Sequence, residues 1–125
     1  MKSREAALRA KRFEVTEKAR KAEDLVSMAR DLDAMAADLD RQIHGEEERT
    51  GVKDRLHFSY STFAQAAAQR RDNLLVSVAD LKLQLDAARA AHQAAREQLA
   101  ALESDEARDN ARHMSKMVRP GVAYG

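Results

Sequence analysis

Residues 25–43 read LVSMARDLDAMAADLDRQI, and this stretch decides the fold. Leu25, Leu32 and Leu39 recur every seven residues, and Ala29, Ala36 and Ile43 fall between them at alternating four- and three-residue steps. On a helix that spacing puts both series on one stripe, the seam of a coiled coil. The residues between include four Asp and two Arg, which suit the solvent side. Upstream, Leu8, Val15 and Ala22 continue one series, while Lys11 and Lys18 hold the early positions of the other. The pattern predicts a helix over about 4–48, with small seam residues that favour close packing.

A second segment, about 61–113, carries the same period. One stripe is Ala67, Leu74, Leu81, Ala88, Ala95 and Leu102; its companion is Ala64, Arg71, Val78, Leu85, His92 and Leu99. Between the segments, about 49–60, Thr50-Gly51, Asp54 and Ser59 break the alanine-rich pattern. Gly51 suits a left-handed position just past a helix end. Ser59, Ser61 or Thr62 can cap the next helix, and Thr62 with Gln65 reads as a capping box. Residues 115–125 contain Pro120, Gly121 and Gly125 and read as a flexible tail.

Charge selects how the segments pair. Residues 1–22 carry eight Lys/Arg against three Glu, and residues 23–48 carry two Arg against nine acids. In the second segment Arg70 and Arg71 stand near the start, while residues 97–109 carry five acids against one Arg. Folding about residue 54 sets each basic region beside an acidic one. It also pairs Leu8 with Leu99 or Leu102, Leu25 with Leu85, and Leu32 with Leu74 or Val78. Exposed pairs are individually weak, so they choose orientation rather than create stability. The expected fold is therefore all-α: one domain over 1–114, a long antiparallel two-helix coiled-coil hairpin.

The composition agrees. Of the 125 residues, 25 are Ala, none is Trp, and only three Phe and two Tyr are present, too few bulky side chains for a globular core. A net charge of +1 argues against a strongly basic nucleic-acid binder. Arg49, Lys53, Arg55, Arg70 and Arg71 read as neutralising Glu46-Glu47-Glu48, Asp38 and Asp40. The chain lacks Cys, which excludes disulfides and thiolate metal sites and fits a reducing cytoplasm. Met1–Glu5 has no apolar stretch of the signal-peptide kind, and no run approaches the roughly 20 apolar residues of a membrane span. The four histidines, 44, 57, 92 and 113, have no ligand spacing, and His92 reads as a polar seam residue that fixes register. With no nucleophile, phosphate or metal motif, and no concave pocket on a helix pair, no catalytic, cofactor or metal site is expected.

The aromatic residues stand out instead. Phe58, Tyr60 and Phe63 cluster at the turn, where they either plug the end of the helix pair or dock a partner. Phe13 lies off the seam at the far end and is expected to be exposed.

The words Lys2-Ser3-Arg4, Lys11-Arg12-Phe13-Glu14-Val15, Met35-Ala36-Ala37-Asp38-Leu39-Asp40-Arg41-Gln42, Arg49-Thr50-Gly51, His57-Phe58-Ser59-Tyr60 and Ala66-Ala67-Ala68-Gln69-Arg70-Arg71-Asp72-Asn73-Leu74, in that order, resemble the flagellar export protein FliJ family in its alphaproteobacterial form. The resemblance covers roughly residues 2–105. It implies a coiled-coil stalk of the cytoplasm at the flagellar base, reaching the membrane only through partners. Those partners are the hexameric flagellar export ATPase, the cytoplasmic domain of the export gate, and export chaperones. It places the gate contact on Tyr60, Phe63 and Ala67, and the ATPase-ring contact on Leu8, Lys11, Arg12 and Phe13. Family members bear tyrosines where this chain has Arg41 and Gly45, so the first-helix half of the gate contact departs from the pattern. Two rival functions are a generic self-associating coiled-coil scaffold, using Met28 and Met35 outside the seam, and a small RNA-binding hairpin.

Overall fold

The computed structural model describes residues 2–117. It holds two α-helices, α1 (Lys2–Thr50) and α2 (Thr62–Met117), and no strand among the described residues. α1 runs through Gly45 without a break; only open space lies where that residue lacks a Cβ. α2 continues past the expected end at 113, through Ser115 and Lys116, which the sequence assigns to the tail. Helix-compatible residues fill that stretch, and Pro120, the first residue able to stop a helix, lies outside the described residues. No described helix is long and apolar enough to cross a membrane.

The packing falls into two units. A loop unit comprises Lys21–Ala87, and a terminal unit joins the segment before Lys21 to the segment from Ala88 onward. A residue in a helix pair touches only the stretch opposite it, so contacts gather into separate neighbourhoods.

In the loop unit the two helices form an antiparallel hairpin. Buried residues come from the expected stripes: Leu25, Ala29, Ala36, Leu39 and Ile43 on α1, and Ala64, Ala67, Val78, Leu81 and Leu85 on α2. Ala22, Leu32, Leu74 and Arg71 fill the remaining seam positions half-buried. Arg71 Nη1 donates to Asp40 Oδ1 at 2.6 Å and Ser61 Oγ to Glu46 Oε1 at 2.8 Å, so partner numbers fall on α1 as they rise on α2. Nearest the loop, Leu39, Ile43, Ala64, Ala67 and Ala68 form one cluster, joined by Tyr60 and Leu74. Three alanines on α2 let the helix backbones approach closely there, and burial of their surface and that of Ile43 at about 25 cal/mol per Å² stabilises the pairing.

The helix ends follow from side-chain chemistry. Gly51 adopts φ 73°, and its N–H donates to the Glu47 carbonyl at 2.8 Å, an αL cap on α1. At the start of α2, the Ala64 N–H donates to Ser61 Oγ at 3.2 Å, which makes Ser61 the cap and Thr62 the first helical residue. The Thr62–Gln65 capping box does not form. Instead Ser61 itself donates to Glu46, so a residue of α1 completes the cap.

In the terminal unit the helices again run antiparallel: Arg4 pairs with Asp109, and Lys11 Nζ donates to Gln98 Oε1 at 2.7 Å. Leu8, Ala88 and Ala95 are its buried apolar residues, while Val15, Leu99 and Leu102 are half-buried. Lys11, Lys18 and His92 occupy seam positions half-buried, as the polar seam there predicts.

Candidate functional site

The residues between the helices build a shaped knob. Asp54 Oδ1 accepts the Leu56 N–H at 2.9 Å, and the Asp54 carbonyl accepts the His57 N–H at 3.0 Å. A second turn follows at once, with the Tyr60 N–H on the His57 carbonyl at 3.0 Å and the Ser59 N–H on His57 Nδ1 at 3.0 Å. The last bond requires an unprotonated Nδ1. The His57 and Phe58 rings stack with centroids 4.7 Å apart. The Asp54 and His57 side chains thus hold the loop by local bonds to backbone N–H groups two residues on. Two large apolar side chains, Leu56 and Phe58, are left 94% exposed.

The three aromatics at the turn divide between plug and knob. Tyr60 is the plug: it packs on the Ile43 cluster, and its hydroxyl donates to Glu47 Oε2 at 2.7 Å. Burial, and then the Glu47 carboxylate, raise its pKa. Phe58 projects into solvent, and Phe63 is 56% exposed on the first turn of α2. Of the residues that the resemblance assigns to a gate contact, Tyr60 is half-buried and Phe63 accessible, but Ala67 is a core residue at 7% exposure. While the helices are paired, a partner does not reach Ala67.

The ring-contact residues divide the same way. Leu8 is buried in the terminal unit. The Lys11 ammonium is engaged, donating to Glu14 Oε2 at 2.6 Å and across to Gln98. Arg12 and Phe13 are the accessible pair, with Phe13 67% exposed, as expected for an off-seam aromatic. The seam-facing members of both assigned sets are therefore occupied by packing, and Phe63, Arg12 and Phe13 remain presentable.

Of the five basic residues near the loop, four are paired with acids, and Arg70 alone has no ion pair among the described residues. Arg49 pairs with Glu46, Lys53 with Glu48 at 3.0 Å, Arg55 with Asp72 at 3.6 Å, and Arg71 with both Asp40 and Asp72. Hydrogen bonds from Arg49 and then from Ser61 pull the Glu46 carboxyl down to about 2. That pairing leaves no basic patch of the kind that holds a phosphate backbone. At the terminal unit a shallow groove is lined by both signs, including Arg4, Asp109, Arg112 and Glu106.

Several exposed apolar residues escape sequence reasoning. Leu56 belongs to a run of polar turn residues, and Val76 and Leu83, both 70% exposed, lie seven apart on the outer face of α2. Only their heptad spacing off the seam signalled them. Met28 and Met35 are exposed at 52% and 42%, as their position outside the seam predicts. No protein-family model, curated protein or solved structure matches the chain.

Proposed function

We infer that the chain is a non-catalytic stalk and adaptor of the flagellar type III export apparatus, acting in the cytoplasm at the flagellar base. In this reading one end engages the hexameric export ATPase and the other the cytoplasmic domain of the export gate, with empty export chaperones as further partners. The single observation that carries it is the loop unit: a hairpin whose own core is closed by Tyr60 yet presents Leu56, Phe58 and Phe63 outward. Exposed aromatics held on a rigid support are preferred interface anchors, because little side-chain or loop entropy is lost on binding. The resemblance in residues 2–105 names the partners.

Pull-down of the purified ATPase and of the gate's cytoplasmic domain by the full chain tests the reading; failure to bind either one rejects it. Phe63→Ala is expected to weaken gate binding about tenfold or more with helicity and Tm unchanged, since the ring is more than half exposed. A matching fall in Tm would mean that Phe63 serves the fold instead.

A second reading, a self-associating coiled-coil scaffold, is favoured by the exposed Met28, Met35, Val76 and Leu83. Light scattering separates the two: a stable dimer at micromolar concentration with no affinity for the ATPase or gate supports the scaffold.

A further inference from the structure

On one exposed strip of α1, Asp24, Met28, Asp31, Met35 and Asp38 follow one another at steps of four, three, four and three. The strip lies beside the seam, and all five residues are exposed. Asp24 and Asp31 have no ion pair among the described residues; Asp38 is held only by Arg41 and Gln42 of its own helix. The strip therefore offers three carboxylates separated by two flexible, polarizable thioethers, and no cation.

Earlier in α1 lies a strip of opposite character. Ala6, Arg9, Phe13, Thr16 and Arg20 follow at steps of three, four, three and four, again all exposed. Arg9 and the neighbouring Arg12 have no ion pair among the described residues, and Arg20 has only Glu17 one turn away at 3.6 Å. Both strips span fourteen positions, about 21 Å of helix.

We propose that the acidic methionine strip of one copy of this chain docks the basic Phe13 strip of a second copy, helix against helix and antiparallel. In that alignment Phe13 seats between Met28 and Met35, Arg9 lies toward Asp38, and Arg20 toward Asp24. Methionine suits this task because its unbranched side chain adapts to an aromatic ring and makes favourable sulfur–ring contacts. The charges set the register, bringing an arginine toward each end of the acidic strip. The contact rests on the second reading's premise of self-association and gives that premise an interface. The stalk reading does not depend on it.

The test uses the full chain in analytical ultracentrifugation at low salt with two triple variants, Asp24→Lys/Asp31→Lys/Asp38→Lys and Arg9→Glu/Arg12→Glu/Arg20→Glu. All six positions are exposed, so unchanged far-UV circular dichroism is expected of both. The wild type is expected to self-associate, each variant alone to weaken association tenfold or more, and an equimolar mixture of the two to restore it. A wild type that stays monomeric up to millimolar concentration overturns both the proposal and the scaffold reading. Self-association that neither variant weakens, or that the mixture fails to restore, overturns this interface while leaving self-association intact. Pull-down of the ATPase by the wild-type chain reports separately on the stalk reading.

Discussion

The loop unit and the terminal unit are built from the same two helices with the same heptad period, yet they are held differently. In the loop unit ten expected seam residues are buried, and the Ile43–Ala64–Ala68 cluster closes its end. In the terminal unit three apolar residues are buried, and Lys11, Lys18 and His92 take seam positions. Leucine and alanine in a seam exclude water; a lysine there spans the seam only by keeping its ammonium hydrogen-bonded, as Lys11 does to Glu14 and Gln98. A shared period therefore fixes which residues face each other but not how strongly. Each unit has an ion pair across its helices, Arg71–Asp40 in the loop unit and Arg4–Asp109 in the terminal unit, but the loop unit buries the larger apolar seam.

The largest expected difference lies in core truncation. Ile43→Ala should destabilise by about 3 kcal/mol in urea unfolding, because it lies in the closed cluster of Leu39, Ala64, Ala67 and Ala68, whose short alanine side chains cannot fill the void. Leu8→Ala should cost less, about 2 kcal/mol, since half-buried neighbours can settle into the space. Equal losses would erase the distinction between the units. Next comes the cap: Ser61→Ala removes both the α2 N-cap and its donation to Glu46, and should cost about 1 kcal/mol, read as a fall in Tm.

A smaller effect appears in acid. The folded-state pKa of Glu46 is depressed from its ordinary 4.5 to about 2 by Arg49 and Ser61. Its stabilising contribution is therefore complete above pH 4.5 and is lost as pH falls toward 2. Glu46→Gln should flatten that part of the stability–pH curve; an unchanged curve would show that the carboxylate is not held in solution. The smallest change belongs to Arg4→Ala in the terminal unit, with the urea midpoint scarcely moved, because solvent screens both partners of the pair. It should still raise amide exchange in residues 3–20 at low salt, and the difference should vanish at high salt.

Much of this was legible in the residues. Every seam position read from the sequence, from Leu8 to Leu102, is buried or half-buried, because period alone dictates which face a helix turns inward. The antiparallel pairing within each unit, Gly51 at the end of α1 and the exposure of Phe13 and Met28 followed from charge and position. Ala68 was missed: it lies beside the two expected stripes and is buried only because the neighbouring alanines bring the helices close. Of the three cap candidates Ser59, Ser61 and Thr62, Ser61 caps α2 without the Thr62–Gln65 box, and its hydroxyl donates to Glu46, 15 residues away, a tertiary contact that no local motif encodes. The split of the aromatics likewise required the structure: Tyr60 turns inward to Glu47, while Phe58 is held outward by its stack on His57. For Leu8 and Ala67, seam position itself was the available warning that packing would occupy them.

Antiparallel return of one chain on itself is tested most directly in the terminal unit, where the residues brought together are farthest apart in sequence. Spin labels at Arg9 and Ser104, both exposed, should lie about 20 Å apart in electron–electron resonance, from an interaxial spacing of about 8–10 Å plus the label arms. The distance should persist when labelled chain is diluted in an excess of unlabelled chain. A separation beyond about 60 Å, or a short distance that disappears on dilution, would mean that the helices do not pair within one molecule.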